Sequence, residues 1–332
     1  MSEEEESSDV QEAHSQQKNT EEEAESSISF NPPVYRQRYQ VVSEMVKKYE
    51  AKKVLDFGCA EAKLLRALIR NDTIKMECLV GVDIDGELLK ENARMIDPLL
   101  CDWLNIRETP FTVSMFQGSI SEADDRFCDF DLISCVEIIE HLIPEHLEKM
   151  PAVVFGQLSP NVVIVTTPNA DFNVLFPNLE GFRHWDHKFE WTRQEFEEWS
   201  SCQASKYGYK VTFQGIGEGP EGTDHLGCCS QMALFEKKVL CQVKEKQSFG
   251  QPYQLIKQVE YPHRKSTISQ KQKIIYEVER LLWFLSQPNS YEEEEIIEDS
   301  SDDENRTKSY DLTQLFDMGR LKELCGTIEN LR

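Results

Sequence analysis

Lys53-Val54-Leu55-Asp56-Phe57-Gly58-Cys59-Ala60-Glu61-Ala62-Lys63-Leu64-Leu65 reads as a buried strand, a tight turn and the start of a helix. Further on, Cys78-Leu79-Val80-Gly81-Val82-Asp83-Ile84-Asp85 reads as a second strand that closes on an acid. A strand–turn–helix–strand unit of this kind, with an acid about 20 residues after the turn, is the layout that holds an adenosine-containing cofactor. The turn lets backbone approach the ligand, and the acid accepts hydrogen bonds from both ribose hydroxyls. Asp83 is that acid. Asp56 stands ahead of Phe57-Gly58, where an NAD site places a glycine directly after the strand, and this points away from NAD.

Working outward, the chain alternates strand and helix. Val113–Ile120, Phe130–Ser134 and Asn161–Asn169 are apolar or β-branched runs that fit a third, fourth and fifth strand, and Pro168 stops the last. Ser119, just past the third strand, is placed to meet an adenine edge. Helices are expected over 35–49, 86–100, 143–158 and, after a capping box of Thr192 with Glu195, over 193–206. Tyr209–Phe213 and Ser230–Phe235 are two late strands joined by a Gly-rich connection, and 253–263 has the character of one more strand and turn. Residues 170–190 show no periodicity and carry Phe172, Phe176, Phe182 and Trp185; a loop that long in a compact domain is usually functional.

Composition bounds the reading. The chain has 332 residues, 39% of them hydrophobic, enough for one large domain or two small ones. Much of its net charge of −24 lies in two segments: residues 1–28 hold ten acids against one lysine, and 291–304 nine acids and no base. The remainder is only mildly acidic, so a local basic patch is compatible with it. Ten cysteines without a C-x-x-C pair argue against zinc ribbons. Cys78, Cys101, Cys128 and Cys241 read as buried small apolar residues. Without a signal peptide or an apolar run near 18 residues, the expected setting is soluble, reducing and cytoplasmic.

The chemistry concentrates in Cys135-Val136-Glu137-Ile138-Ile139-Glu140-His141-Leu142, directly after the fourth strand. If the chain turns helical at Glu137, then Glu137, Glu140 and His141 share one face at i, i+3 and i+4. Two carboxylates and an imidazole suit a divalent ion such as Mg²⁺, Mn²⁺, Fe²⁺ or Zn²⁺. A second cluster follows in Arg183-His184-Trp185-Asp186-His187-Lys188. Taken alone, the first trio is more often a solvated helix face with one satisfied histidine. Arg36 and Arg38 with Tyr35 and Tyr39 suit phosphates and a stacked base, but an ordinary amphipathic helix packed on the core is the favoured reading of that stretch taken alone.

The first unit resembles motif I of class I S-adenosylmethionine-dependent methyltransferases, whose usual form is acid-x-Gly-x-Gly-x-Gly. Only Gly58 is kept; Ala60 and Ala62 replace the other glycines, which demands a slightly wider turn. Val136-Glu137-x-x-Glu140-His141-Leu142, with Asp186-His187-Lys188-Phe189-Glu190-Trp191-Thr192-Arg193 and Pro33-x-Tyr35-x-x-Arg38-Tyr39, resembles the Hen family of small-RNA 3′-terminal 2′-O-methyltransferases, in its short animal form, over residues 30–236. The resemblance implies an α/β, Rossmann-like class I methyltransferase fold with a seven-stranded, mostly parallel sheet flanked by helices. It implies a methyltransferase domain over 29–238; composition and patterning add a disordered acidic tail (1–28), a C-terminal extension (239–290), an acidic disordered linker (291–309) and a short helix (310–332).

The same resemblance implies S-adenosylmethionine bound by Asp56, Gly58, Ala60, Asp83 and Ser119. It implies Mg²⁺ or Mn²⁺ held by Glu137, Glu140, His141 and His187, with His184 the alternative to His187, and His141 as the base. The implied substrate is the 3′ end of a single-stranded small RNA of the PIWI-interacting kind, presented to a monomeric enzyme by an Argonaute-class protein. Two other readings remain: a metal-dependent phosphoesterase acting on RNA ends, and a catalytically inactive RNA-binding module.

Overall fold

The computed structural model describes residues 28–238, 248–264, 269–286, 311–318 and 320–331. The acidic linker 291–309, Cys241 and all but the last residue of the tail 1–28 lie outside them. The chain divides into two compact units, residues 1–264 and 265–332.

The first unit is built on one sheet: β1 (Lys53–Phe57), β2 (Cys78–Asp83), β3 (Thr112–Gln117), β4 (Leu132–Val136), β5 (Val162–Pro168), β6 (Tyr209–Ile216), β7 (Ser230–Lys237) and β8 (Gln254–Glu260). Their order is β6-β7-β5-β4-β1-β2-β3-β8. The five strands β5-β4-β1-β2-β3 run parallel; β6, β7 and β8 are antiparallel to their neighbours. The sheet has eight strands, not seven. The additional strand falls in the stretch expected to be an extension, so the sheet reaches past residue 238. β8 is half-exposed, and polar and apolar residues mix along it, as an edge strand permits. It is anchored at its ends: buried Tyr253 donates to the carbonyls of Ser119 and Glu122 (2.6 Å each), and buried Tyr261 to that of Ile96 (2.9 Å).

The parallel strands are buried on both faces, which explains their unbroken apolar runs. Val54, Leu79, Leu132 and Val162 point into one core with α1 (Val34–Lys48) and α2 (Lys63–Ile69); Leu55, Val80, Ile133 and Val163 point into the other. That second core takes Met150 of α5 (Pro144–Pro151) and Phe196 of α6 (Arg193–Tyr207). The capping box of Thr192 and Glu195 opens α6 as the sequence suggested. The expected helix over 86–100 is instead α3 (Gly86–Glu91), a tight 3-10 turn and then α4 (Leu100–Leu104).

Strand order reverses between β1 and β4, and in open parallel sheets ligands bind at the carboxyl ends of the strands at such a point. Phe57 pairs with Cys135, so the turn after β1 and the motif after β4 leave the sheet side by side. Gly58 lies so close that a Cβ there would meet Ile138 Cδ1 at 2.8 Å.

The second unit contains α7 (Gln270–Ser286), α8 (Leu312–Asp317) and α9 (Leu321–Cys325), packed through Leu281, Leu315, Leu321 and Cys325. The expected single helix over 310–332 is thus two short ones. Met318 is extended at the end of the first, and Gly326 takes a positive φ of 72° at the end of the second. No helix among the described residues is long and apolar enough to cross a membrane. Of the thiols expected in the core, Cys101 is exposed and Cys78 and Cys128 are half-buried.

Candidate active site

The turn after β1 is closed onto the end of β2. The amides of Gly58 and Cys59 donate to the Val82 carbonyl (2.8 and 3.2 Å), and that of Ala60 to Asp83 Oδ2 (2.9 Å). Gly58, Ala60 and Ala62 all have positive φ (75°, 42° and 60°). The alanines therefore do not relax the turn into an ordinary conformation. They hold the left-handed backbone a glycine would take, at a cost of about 1–3 kcal/mol each. Asp83 Oδ1 accepts the Asp85 amide at 3.0 Å, so each carboxylate oxygen holds one N–H and keeps a second acceptor position, as two ribose hydroxyls require. Ile84 beside it is 68% exposed, an apolar face for an adenine. These residues fit an adenosine-type cofactor. Ser119 is already engaged: its hydroxyl meets Ser121 Oγ (2.8 Å), which meets His146 Nδ1 (2.7 Å).

Asp56 is buried, and burial pushes its carboxyl up to about 7, against the pull of the Ser134 hydroxyl at 2.7 Å. Near pH 3 the carboxyl is protonated whether the chain is folded or not. As pH rises the unfolded carboxyl ionises first while the folded one keeps its proton, so stability falls between about pH 4 and 7 and then levels off. About three pK units set a ceiling of ~4 kcal/mol. Asp56→Asn is accordingly expected to melt several degrees above the parent at pH 8, with the gap closing by pH 4; equal melting temperatures at pH 8 would show that the carboxylate is not strained.

The helical start expected at Glu137 is absent. Glu137 has a φ of 50°, and only Ile139–His141 forms a single 3-10 turn. The i, i+3, i+4 face therefore does not exist, and each side chain is placed by its own partners. Glu137 Oε2 pairs with Arg38 Nη1 at 3.1 Å, and its Oε1 accepts from Thr166 (2.9 Å) and Ser230 (2.8 Å). Arg38, read as a phosphate or base contact, thus faces a carboxylate. Glu140 is fully buried; Thr167 donates to its Oε2 at 3.0 Å, and its Oε1 has no hydrogen-bond partner among the described residues. Burial first and the Glu137 charge second push its carboxyl well above the ordinary range, although Thr167 and Arg38 pull the other way.

Across from them, His141, His184 and His187 each bring a ring nitrogen within 4.8 Å of the others. The sequence offered His184 and His187 as alternatives; the fold brings in both. Glu137 and Glu140 stand outside that cluster, so the four expected ligands are gathered only in part. His141 Nδ1 meets Asp186 Oδ2 at 2.9 Å, and His187 Nδ1 meets Glu190 Oε1 at 2.6 Å. Both pairings are of the carboxylate–histidine kind that leaves Nε2 for a cation. Burial first, with the neighbouring His187 and His184, lowers the His141 pKa against the pull of Asp186, which favours the neutral ring. Burial alone would raise Glu190; hydrogen bonds from His187, Asn173 and the Arg183 amide outweigh it and hold the carboxylate ionised. The histidine cluster and, apart from it, the Glu140 oxygen left without a hydrogen-bond partner among the described residues are donor types that suit a divalent ion.

Sequence reasoning missed the framework of this loop. The Arg183 guanidinium donates to the carbonyls of Cys229 (2.7 Å) and Asn169 (2.5 Å), and the Lys188 amide donates to the Glu140 carbonyl (2.7 Å). An arginine beside the histidines was the one visible signal. Phe172 and Phe176 are buried, not offered to a ligand, while Phe182 and Trp185 are 46% and 66% exposed.

A small RNA 2′-O-methyltransferase of Xenopus tropicalis is 36% identical across 91% of this chain and 92% of that protein. The chain belongs to the small RNA 2′-O-methyltransferase family. A family member from Rattus norvegicus is 47% identical across 64% of this chain and 54% of its own length, so the chain spans about half of that relative. Among solved structures, the small RNA methyltransferase HEN1 superposes with a TM-score of 0.60 at 31% identity, covering 71% of this chain and 28% of that one. The methyltransferase domain of a bacterial Hen1 gives 0.52 at 36% identity, covering 61% of this chain and 100% of that one. No family model matches. The fold is that of a class I methyltransferase.

Proposed function

We propose that this protein methylates the 2′-hydroxyl of the 3′-terminal nucleotide of single-stranded small RNAs, with S-adenosylmethionine as donor and a divalent ion, Mg²⁺ or Mn²⁺, as cofactor. The observation that carries the reading is the placement of the Asp83-closed turn and the Glu140–His141 motif on the ends of neighbouring parallel strands. The activity that names the family points the same way.

Asp83 holds the ribose of the donor, and the turn amides approach its remainder. Glu140, His141 and His187 would hold the ion, with the charge of Glu137 beside them. A divalent ion bound there supplies Lewis acidity to a vicinal diol. His141, kept neutral by burial and fixed by Asp186, offers its Nε2 lone pair to the departing hydroxyl proton; that lone pair serves the proton or the ion, one at a time. A requirement for two adjacent hydroxyls selects RNA over DNA and an end over an internal nucleotide, without base reading. Substrates of the PIWI-interacting class, delivery by an Argonaute-class protein and a cytoplasmic setting are proposals that follow from the family.

Labelled methyl transfer to a 3′-hydroxyl RNA tests the reading. An RNA ending in a 3′-phosphate or a 2′-deoxynucleotide is expected to accept less than about a hundredth as much, because the diol is what the site would grip. Equal turnover on the 3′-phosphate would remove the chelation argument, and release of phosphate in place of methyl transfer would favour a phosphoesterase.

A groove between α1 and α2, of about 580 Å³, is lined by Tyr35, Arg36, Tyr39, Lys63, Arg66 and Arg70. Cations interleaved with tyrosines suit a single strand approaching the site. The double variant Arg36→Ala/Lys63→Ala should weaken RNA binding and flatten the slope of log affinity against log salt by roughly 0.7 for each phosphate that the protein no longer neutralises. An unchanged slope would place the strand elsewhere.

A further inference from the structure

Ser119 is held from three directions. It lies two residues past β3, and the amide of Gly118 donates to the Asp83 carbonyl at 2.9 Å, which sets Ser119 beside the acid that closes the cofactor turn. Its carbonyl accepts from the Tyr253 hydroxyl at 2.6 Å. Its own hydroxyl meets Ser121 Oγ at 2.8 Å, and Ser121 Oγ meets Nδ1 of His146, on α5, at 2.7 Å. A turn serine needs only local partners, and Ser119 has them: the Ser121 amide donates to its Oγ at 3.3 Å and the Glu122 amide to its carbonyl at 3.0 Å. An imidazole 25 residues further along the chain is not required by that turn. What it adds is a fixed direction for two hydroxyls that would otherwise rotate.

We propose that His146 is a positioning residue for the methyl donor: through Ser121 it fixes the Ser119 hydroxyl against the adenine edge of S-adenosylmethionine. This rests on the proposed function, in its choice of donor, and deepens it. A hydroxyl makes up to three hydrogen bonds, and among the described residues Ser121 takes two of those of Ser119, one through its Oγ and one through its amide. Either order of protons along the chain leaves the third useful. Where Nδ1 accepts, Ser121 donates to it and Ser119 donates to Ser121, so Ser119 keeps a lone pair for the adenine 6-amino group. Where Nδ1 donates, Ser119 keeps its O–H for adenine N1. Adenine carries both groups side by side on one edge.

The test is a double-mutant cycle on the full chain, with S-adenosylhomocysteine as the probe and calorimetry as the readout. His146→Ala should weaken binding roughly fivefold, the worth of one neutral hydrogen bond, while affinity for a single-stranded RNA stays within about twofold. Ser119→Ala should cost at least as much. Adding His146→Ala to Ser119→Ala should cost nothing further, because the one acts through the other. His146→Asn, whose amide reaches the place of Nδ1, should recover most of the affinity; a merely structural histidine would not be rescued this way. In methyl transfer, His146→Ala should raise KM for S-adenosylmethionine and leave kcat within about twofold. Unchanged affinity in His146→Ala, or losses that add in the double variant, would overturn the proposal. A parent that shows this cycle but transfers no methyl group to RNA would refute the proposed function and leave the assignment standing, whereas a parent that does not bind S-adenosylhomocysteine would overturn both.

Discussion

Glu140→Gln is expected to abolish methyl transfer, by roughly a thousandfold or more in kcat/KM, while the protein folds at least as well as the parent. The carboxyl is fully buried, one oxygen is held by Thr167 and the other has no hydrogen-bond partner among the described residues. Burial and the neighbouring Glu137 charge both disfavour its ionised form. A protein keeps such a group only where something compensates it, and removing it commonly stabilises the fold. Glutamine is nearly the same shape and accepts from Thr167, but carries no charge to offer a cation. The activity loss corresponds to the several kcal/mol of charge stabilisation that a catalytic ion supplies. Affinity for S-adenosylmethionine should stay within about threefold, because Glu140 follows β4 whereas Asp83, the proposed ribose partner, ends β2. Full activity in this variant would remove Glu140 from the chemistry; a large loss of stability would show that the carboxylate is structural.

Asp83→Ala is expected to act on the other half of the site. Its carboxylate receives the Ala60 and Asp85 amides, and the remaining acceptor positions suit two ribose hydroxyls. Hydrogen bonds to a charged acceptor contribute about 1.5–3 kcal/mol each, so losing both should weaken cofactor binding at least a hundredfold. The Ala60 amide also loses its partner, which loosens a turn already holding two alanines at positive φ. RNA binding should change less than twofold. Calorimetry with S-adenosylmethionine and anisotropy with RNA give the two readings; unchanged cofactor affinity would mean that the donor lies elsewhere.

What could be read from the sequence followed from local physics. The strands from Lys53 to Pro168 announce themselves because each is buried on both faces, and the acid after β2 stands out against that apolar run. β8 was foreshadowed only weakly, because an edge strand has no such constraint and is held by tyrosines at its ends. The geometry at Glu137 was illegible for a different reason. Its left-handed backbone goes with side-chain contacts to Arg38, Thr166 and Ser230, which come from α1, β5 and β7, and no spacing rule within the motif could anticipate them. His184 and His187 looked like alternatives because spacing alone does not show that the loop folds both rings onto His141. The aromatics of 170–185 divided in the same way, Phe172 and Phe176 going to the core and Trp185 to the surface.

The most direct measurement is periodate oxidation followed by β-elimination of a single-stranded RNA incubated with the protein, S-adenosylmethionine and Mn²⁺. A 2′-O-methylated end has no free diol, so the RNA should keep its full length, while RNA from a parallel Glu140→Gln reaction should shorten by one nucleotide. Shortening after treatment with the unaltered protein would contradict the account.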